Sequence, residues 1–298
     1  MKKALQTLSA VPLVAAFAVA MTLFALVPRR KAYSFGAAVG RALYPLFRKR
    51  RRIAVENLLK TGIAKDAAEA DRIAREAFAH LPGHICEALK VPGVVNARNW
   101  REHLDVSDAS PAAVKLLLEE TDRPILLVSA HHGVWEAATN LLSFARPMIA
   151  IARTMNNAVA AKWMEKRHFR GPVTVIDKNR GFSPGVIRKW KSDCAAMTIL
   201  MDQRASPKSG VKSVFLGRTA WTFTTAVRLA AKTGFPVVAG SFVRTAPFRY
   251  KLVGGDPLAF GPDADVKAGA RLLNERLGDA IRKYPGQYLW SHRRWRDD

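Results

Sequence analysis

The chain has little cysteine, and this excludes two kinds of architecture. Its 298 residues include two cysteines, Cys86 and Cys194. Two cysteines make no disulfide framework, and their spacing matches no metal-binding motif. We therefore expect both thiols to be small core side chains in a protein that folds in a reducing compartment.

Acidic residues are also scarce. The 24 aspartates and glutamates face 48 lysines and arginines, so the formal net charge is +24. Such a surplus predicts an anionic partner, which could be lipid headgroups, nucleic acid or an acidic protein. The basic residues are spread along the chain and no recognised DNA- or RNA-binding module is present, so nucleic acid is not expected as the partner. A membrane-tethered nucleic-acid-binding protein stays as an alternative hypothesis.

Internal repeats and linkers rich in proline, glycine and serine are absent from the sequence. At 49% hydrophobic residues the chain can bury a sizeable core. Its length would allow one large α/β domain or two small ones, and the missing linker favours one. We predict a membrane anchor over residues 1–30 and a single α/β domain over residues 31–298.

The anchor prediction comes from Leu8–Val27, an uncharged run of about the length that spans a bilayer. Basic residues lie on both sides, and their excess grows after the run, which predicts that the body of the protein faces the cytoplasm. A cleaved signal peptide is the alternative, although Thr22–Val27 stays apolar beyond the candidate cleavage site. Pro12 leaves open a kinked or interfacial helix. Arg48–Arg52 opens a predicted basic amphipathic helix that would rest on anionic lipid or be solvated.

Beyond residue 123 the pattern alternates between strand and helix, which predicts a largely parallel central sheet flanked by helices. The predicted strands are Ile125–Ser129, Met148–Ala152, Val173–Ile176, Ala196–Met201 and Pro236–Phe242, with further edge strands at Tyr250–Val253 and Tyr288–Trp290. The predicted helices are Ala64–Leu81, ended by Pro82–Gly83, a helix from Ser110 to Thr121, Trp135–Ser143, Ala158–Phe169, Pro184–Lys191, Thr222–Thr233 and Asp265–Lys283.

Polar side chains follow several of these strands directly. His131 follows the first, Arg153 the second, and Asp202, Gln203 and Arg204 the fourth. Because the carboxyl ends of parallel strands meet at one edge of a sheet, we expect these groups to converge there.

His131 and Glu136 form the predicted catalytic pair. They are five residues apart, roughly 140° on one regular helix, so they can meet only if His131 lies in the loop and Glu136 in the first helical turn. A carboxylate that holds one imidazole nitrogen leaves the other free as a base. Two alternatives remain: Glu136 simply favours a helix N-terminus, or His132 and Glu136 share a metal whose third ligand the spacing does not supply.

An ordered set of motifs along most of the chain resembles one family. The motifs are RRIAVENL (Arg51–Leu58), HHGVWE (His131–Glu136), RTMNN (Arg153–Asn157), MDQR (Met201–Arg204), FLGRTAWT (Phe215–Thr222) and YLWSHRRW (Tyr288–Trp295). Together they resemble the lipid A biosynthesis late acyltransferases, a branch of the lysophospholipid acyltransferase group. Val134 and Leu216 depart from that family's usual residues. A glycan-linked acyltransferase of mycobacterial type shares the His-x4-Glu signature and stays as a further alternative.

The resemblance implies transfer of a fatty acyl group from a thioester, carried by acyl carrier protein or coenzyme A, to a hydroxyl of an anionic lipid A-like glycolipid. It implies an enzyme of lipopolysaccharide synthesis at the bacterial inner membrane, with the catalytic domain on the cytoplasmic side. His131 would be the general base and Glu136 would orient it; the substrate would be held by Arg153, Asp202, Gln203 and Arg204. Neither a metal nor an organic cofactor is expected. A hydrolase that uses water at the same site is the remaining alternative.

Overall fold

The computed structural model describes residues 22, 24–152, 172–177 and 182–296. Its helices are α1 (Ala32–Leu43), α2 (Arg48–Lys60), α3 (Ala67–Lys90), α4 (Pro111–Leu118), α5 (Trp135–Leu142), α6 (Pro184–Ser192), α7 (Thr225–Thr233) and α8 (Val266–Lys283). Its strands are β1 (Leu104–Ala109), β2 (Ile125–Ser129), β3 (Met148–Ala152), β4 (Val173–Asp177), β5 (Ala196–Leu200), β6 (Gly210–Phe215), β7 (Arg218–Phe223), β8 (Val237–Ala246) and β9 (Arg249–Gly254).

Seven of these strands form one sheet in the order β1-β9-β8-β2-β5-β3-β4, and β6 and β7 form a separate hairpin. The five strands from β8 to β4 are parallel, while β9 runs antiparallel to β8. Every residue of β2 is buried. Alternate side chains of a strand point to opposite faces, so β2 contributes Leu126 and Val128 to one apolar core and Ile125 and Leu127 to another. The predicted α/β class with a largely parallel, helix-covered sheet is confirmed.

The five predicted parallel strands are all present, β2 and β3 with the predicted bounds. Two edge predictions are wrong. β9 lies between β1 and β8, so Tyr250–Val253 is interior to the sheet. Tyr288–Trp290 forms no strand, since Tyr288 makes only an isolated bridge with His132. Tyr288 and Trp290 are instead buried side chains of the core.

The predicted end of α3 at Pro82–Gly83 is also wrong. The helix continues to Lys90 with Pro82 inside it. Proline removes one helical hydrogen bond, but tertiary packing compensates here. Two glycines of α1 lie against this stretch so closely that a Cβ on Gly36 would be 2.3 Å from the Pro82 oxygen, and one on Gly40 2.2 Å from the Phe78 oxygen.

Smaller predictions have mixed outcomes. Ser110 caps α4, since its hydroxyl accepts from the Ala113 N–H, and Asp265 caps α8. Thr222 and Phe223 belong to β7, so α7 begins later than predicted. Both cysteines are free but half-buried, not core residues.

Most of the predicted N-terminal membrane anchor falls outside the described residues. No helix in the described ranges is long and apolar enough to cross a bilayer. Residues 1–21 and 23, which carry most of the predicted anchor, lie outside those ranges, and so does the predicted helix at 158–169. The anchor therefore stays a prediction.

Candidate active site

His131 lies in the loop that joins the carboxyl end of β2 to α5. Gly133 gives this loop its shape, with a φ of +69° that suits glycine. A Cβ on Gly133 would lie 1.9 Å from the carbonyl oxygen of Phe242, so β8 leaves no room for one. The loop is tied on both sides, because the Gly133 N–H donates to the Gln287 oxygen and the Val134 N–H to the Phe242 oxygen. His131 is therefore held by backbone contacts to two other segments.

The imidazole of His131 is hydrogen-bonded to Asp202. Its Nδ1 lies 2.9 Å from Oδ1 of Asp202, whose side chain is 2% exposed, whereas the His131 side chain is 23% exposed. A carboxylate can only accept, so Nδ1 carries the proton when the ring is neutral and Nε2 is left as the basic nitrogen.

The sheet explains why these two residues meet. β2 and β5 are adjacent and parallel, and their last residues, Ser129 and Leu200, are partners in register. His131 and Asp202 each lie two residues beyond those ends. Residues at the same offset past paired parallel strands lie at the same edge of the sheet. The sequence showed both offsets but not which strands would be neighbours.

Asp202 is ionised at neutral pH despite its burial. Burial by itself raises the pKa of this carboxyl, but the charge of His131, hydrogen bonds from its side chain and backbone, and the charge of Arg294 outweigh that effect. The pKa of Asp202 is therefore lowered from its ordinary value. A buried, ionised carboxylate on Nδ1 favours the imidazolium that forms when Nε2 takes a proton.

Glu136, the predicted partner of His131, lies in the first turn of α5. Burial raises the pKa of its carboxyl, and the nearby His131 opposes this shift. Asp202 is the acid hydrogen-bonded to Nδ1, and an orienting role of Glu136 stays a prediction. The spacing argument considered only residues close in sequence, whereas Asp202 is supplied by a neighbouring strand.

Two further predicted site residues, Gln203 and Arg204, lie near this pair. Nε2 of Gln203 lies 3.5 Å from Nε2 of His131, so the Gln203 amide lies beside the basic nitrogen of the ring. Arg204 is half-buried, and its backbone N–H donates to Nε2 of His292 at 3.1 Å. Arg153 lies outside the described residues. His292 is half-buried beside the site, and burial lowers its pKa.

His132 is turned away from the site. It is fully buried, and its Nε2 lies 3.0 Å from the carbonyl oxygen of Tyr284, to which it donates. Burial lowers its pKa to about 4, so the ring is neutral. In the described part of the chain, no cluster of three or more histidine, cysteine or acidic side chains could hold a metal ion.

Two side chains that sequence reasoning did not select support the site. Arg294 is buried and donates to the backbone oxygens of Gln203 and Trp221 and to the hydroxyl of Thr222, so it fixes the turn after β5. Asn57 of α2 donates to the backbone oxygens of Trp290 and His292, both at 2.8 Å. Both residues lie in motifs already noted, RRIAVENL and YLWSHRRW, but their partners are more than 70 residues away.

A narrow slot of about 10 Å³ opens at His131, lined mostly by apolar and aromatic side chains. The ring of Trp135 forms one wall, with its centroid 5.3 Å from that of His131 in an edge-on contact. A larger open cleft of about 470 Å³ adjoins the slot, since His80 and Gln287 line both. A substrate in the cleft could therefore extend a reacting group towards His131.

An α/β sheet that carries a partly exposed histidine, supported by a buried acid at the carboxyl edge of its parallel strands, has the design of an enzyme that uses an imidazole as a base. The chain belongs to the bacterial lipid A biosynthesis acyltransferase family, whose model matches residues 2–297. It is an acyltransferase of that family, as the motif resemblance implied. Membership of this family supports acyl transfer to a lipid A-like acceptor as the reaction.

Two curated relatives agree with this assignment. The lipid A biosynthesis palmitoleoyltransferase of Escherichia coli (strain K12) is 24% identical over 269 residues, which cover 88% of this chain and 83% of the relative. The lipid A biosynthesis acyltransferase of Shigella flexneri shows the same identity and coverage.

Proposed function

We propose that this protein moves a fatty acyl group from a thioester, carried by acyl carrier protein or coenzyme A, to a hydroxyl of a lipid A-like glycolipid, with His131 as the general base. The observation that carries the proposal is the hydrogen bond from Nδ1 of His131 to the buried Asp202, which makes Nε2 the basic nitrogen of a ring that lines the slot. No protein nucleophile is needed, because the acceptor hydroxyl attacks directly.

In this mechanism Nε2 takes the proton of the hydroxyl as its oxygen bonds to the thioester carbon. The carbon–sulfur bond then breaks, and the imidazolium returns the proton to the leaving sulfur. Asp202 orients the ring and stabilises its charge, the role of the acid in a Ser-His-Asp site. The amide of Gln203 is close enough to Nε2 to contact the reacting groups. Arg153 and Arg204 are the further candidates for stabilising the oxyanion or a phosphate.

The membrane part of the proposal has its own support. Phe35, Val39 and Leu43 recur at helical spacing on α1 and are exposed, as are Leu46 and Phe47 after it. Arg48, Lys49 and Arg50 follow directly and are exposed too. An apolar ridge beside a basic segment suits the surface of an anionic bilayer. We propose that the protein works at the cytoplasmic face of the bacterial inner membrane, where its positive charge would also attract an acidic donor protein.

The test is acyl transfer by purified protein, followed by mass spectrometry of the lipid product. His131→Ala should abolish transfer, and near-normal activity of this variant would end the proposal. Asp202→Asn keeps the shape of the side chain but presents an amide to Nδ1, so we expect kcat to fall at least 100-fold. Glu136→Gln should lower kcat less than Asp202→Asn does. A larger loss in Glu136→Gln would mean that Glu136, and not Asp202, orients the ring of His131.

Product analysis also separates the alternative reactions. Free fatty acid without acylated lipid would indicate a hydrolase at the same site. Tight, salt-sensitive binding of nucleic acid without thioester turnover would favour the nucleic-acid-binding alternative.

A further inference from the structure

The cleft beside His131 has a mixed polar and apolar lining, and among the described residues one cation in it, Arg41, has no acidic partner. It lies between α1, α3 and the turn at Pro285–Gln287. Its polar lining includes Arg41, Arg72, Glu76 and His80. A cleft of about 470 Å³ that carries charged side chains, next to a largely apolar slot, can take the charged part of an amphiphile.

In the described ranges, the acidic and basic groups around the cleft are paired, with the exception of Arg41. Arg72 lies 2.7 Å from Glu76 and 3.6 Å from Glu69, so its charge is balanced. Arg244, just behind the cleft, is bound to the buried Glu87 at 3.0 Å. Arg41 has no carboxylate within ion-pair distance among the described residues.

The position of Arg41 also relates the cleft to the apolar ridge of α1. Arg41 and Tyr33 face the cleft, while Phe35, Val39 and Leu43 of the same helix are exposed apolar side chains. Gly36 and Gly40 lie on a third face of α1, which packs against α3. A molecule in the cleft therefore lies beside the surface proposed to meet the bilayer.

The inner end of the cleft is rigid and uncharged. The Tyr33 hydroxyl donates to Nδ1 of His80 at 3.1 Å, while Nε2 of His80 donates to the Gly133 oxygen at 2.8 Å. His80 is neutral at physiological pH, because burial lowers its pKa to about 4. Among the side chains that the structure describes, the unpaired positive charge of the cleft is thus at Arg41 and not at the end nearest His131.

We propose that this cleft binds a substrate phosphate through Arg41 and so holds the same substrate beside the slot at His131. The proposal rests on the acyl-transfer function above and names a binding site for it. Guanidinium matches phosphate in charge and geometry. The phosphate is either one of the glycolipid acceptor or that of the phosphopantetheine arm of the donor, and the experiment separates the two.

The experiment compares KM values of wild-type protein, Arg41→Gln and Arg41→Lys. The acceptor is used intact and after phosphatase treatment; the donor is acyl-CoA or an acyl N-acetylcysteamine thioester, which has no phosphate. Loss of one charge-assisted contact should raise KM about tenfold for one phosphorylated substrate, with kcat largely kept. Arg41→Lys should recover part of the loss. A rise only for the intact acceptor assigns the acceptor phosphate, and a rise only for acyl-CoA assigns the donor phosphate.

Two further variants sharpen the result. Glu76→Gln removes the acid beside Arg72, so it should lower the same KM. Arg98→Gln, an exposed arginine before β1 and outside the cleft, should leave it unchanged. The effect at Arg41 should shrink in high salt, because exposed charges are screened.

The proposal is overturned if Arg41→Gln leaves both KM values unchanged, or raises them equally for substrates without phosphate. Failure of the proposed function would look different, since wild-type protein would then acylate no glycolipid at all. In that case, equilibrium binding of inorganic phosphate to wild-type and Arg41→Gln protein decides the question. Weaker binding to the variant supports the cleft, and equal binding overturns it.

Discussion

Nε2 of His80 lies 2.8 Å from the carbonyl oxygen of Gly133 and joins the middle of α3 to the loop that carries His131. A carboxamide can replace this donor. We predict that His80→Gln keeps most of the activity, whereas His80→Leu lowers kcat at least tenfold and costs about 1–3 kcal/mol of unfolding free energy, because a buried oxygen is left unpaired.

Two measurements check this positioning role. Because burial holds the pKa of His80 at about 4, the pH profile of kcat above pH 5 should be the same in wild-type protein and His80→Gln. Equal activity losses in the two variants would show that His80 does more than hold the loop.

Gly133 and Gly62 form a matched pair for testing the loop. Their φ angles are +69° and +67°, but a Cβ on Gly62 would meet nothing within 4 Å, whereas one on Gly133 would overlap the Phe242 oxygen. Gly62→Ala should cost about 1–2 kcal/mol in unfolding free energy, from backbone strain alone. Gly133→Ala should cost more and abolish activity. Denaturant unfolding and kcat measure both, and similar effects at the two sites would contradict the packing argument.

The stability of the protein should fall on acidification through His132. Its folded pKa is about 4, against about 6.5 when unfolded, so between these values the unfolded state binds a proton that the folded state does not. Stability is therefore lost as pH falls from about 6.5 to 4. His132→Gln keeps a donor for Tyr284 but does not titrate.

We expect the slope of unfolding free energy against pH to be shallower in His132→Gln, by up to about 1.4 kcal/mol per pH unit in this window. Urea unfolding at pH 7 and pH 5 measures it. Parallel slopes for the two proteins would mean that His132 does not contribute.

Adjacent arginines near the C-terminal end test the support of Asp202. Arg294 is buried and donates to three oxygens, while Arg293 is exposed. Lysine lacks the several N–H donors of the planar guanidinium group. We therefore predict that Arg294→Lys loses about 2 kcal/mol in unfolding free energy and has a reduced kcat. Arg293→Lys should stay within about 0.5 kcal/mol of the wild-type protein. If the two variants behave alike in thermal unfolding and activity, Arg294 is not the support that its contacts indicate.

Local patterns predicted much of the fold because they reflect local physics. Short apolar runs such as Ile125–Ser129 are buried on both faces and end at polar residues, so β2 and its neighbours were found with nearly correct bounds. The cap at Ser110 was found because a side chain bonds a backbone group three residues away. α3 was predicted too short, since proline usually ends a helix and the packing of α1 against Pro82 is not visible in sequence.

The sequence by itself determined the sheet-forming runs, the loop glycine and the presence of a histidine at a strand end. Only the tertiary structure decided which acid holds that histidine. Asp202 is 71 residues from His131 along the chain and reaches it because β2 and β5 pair in register. Strand order follows from how the whole core packs, so it cannot be predicted from the local spacing of residues.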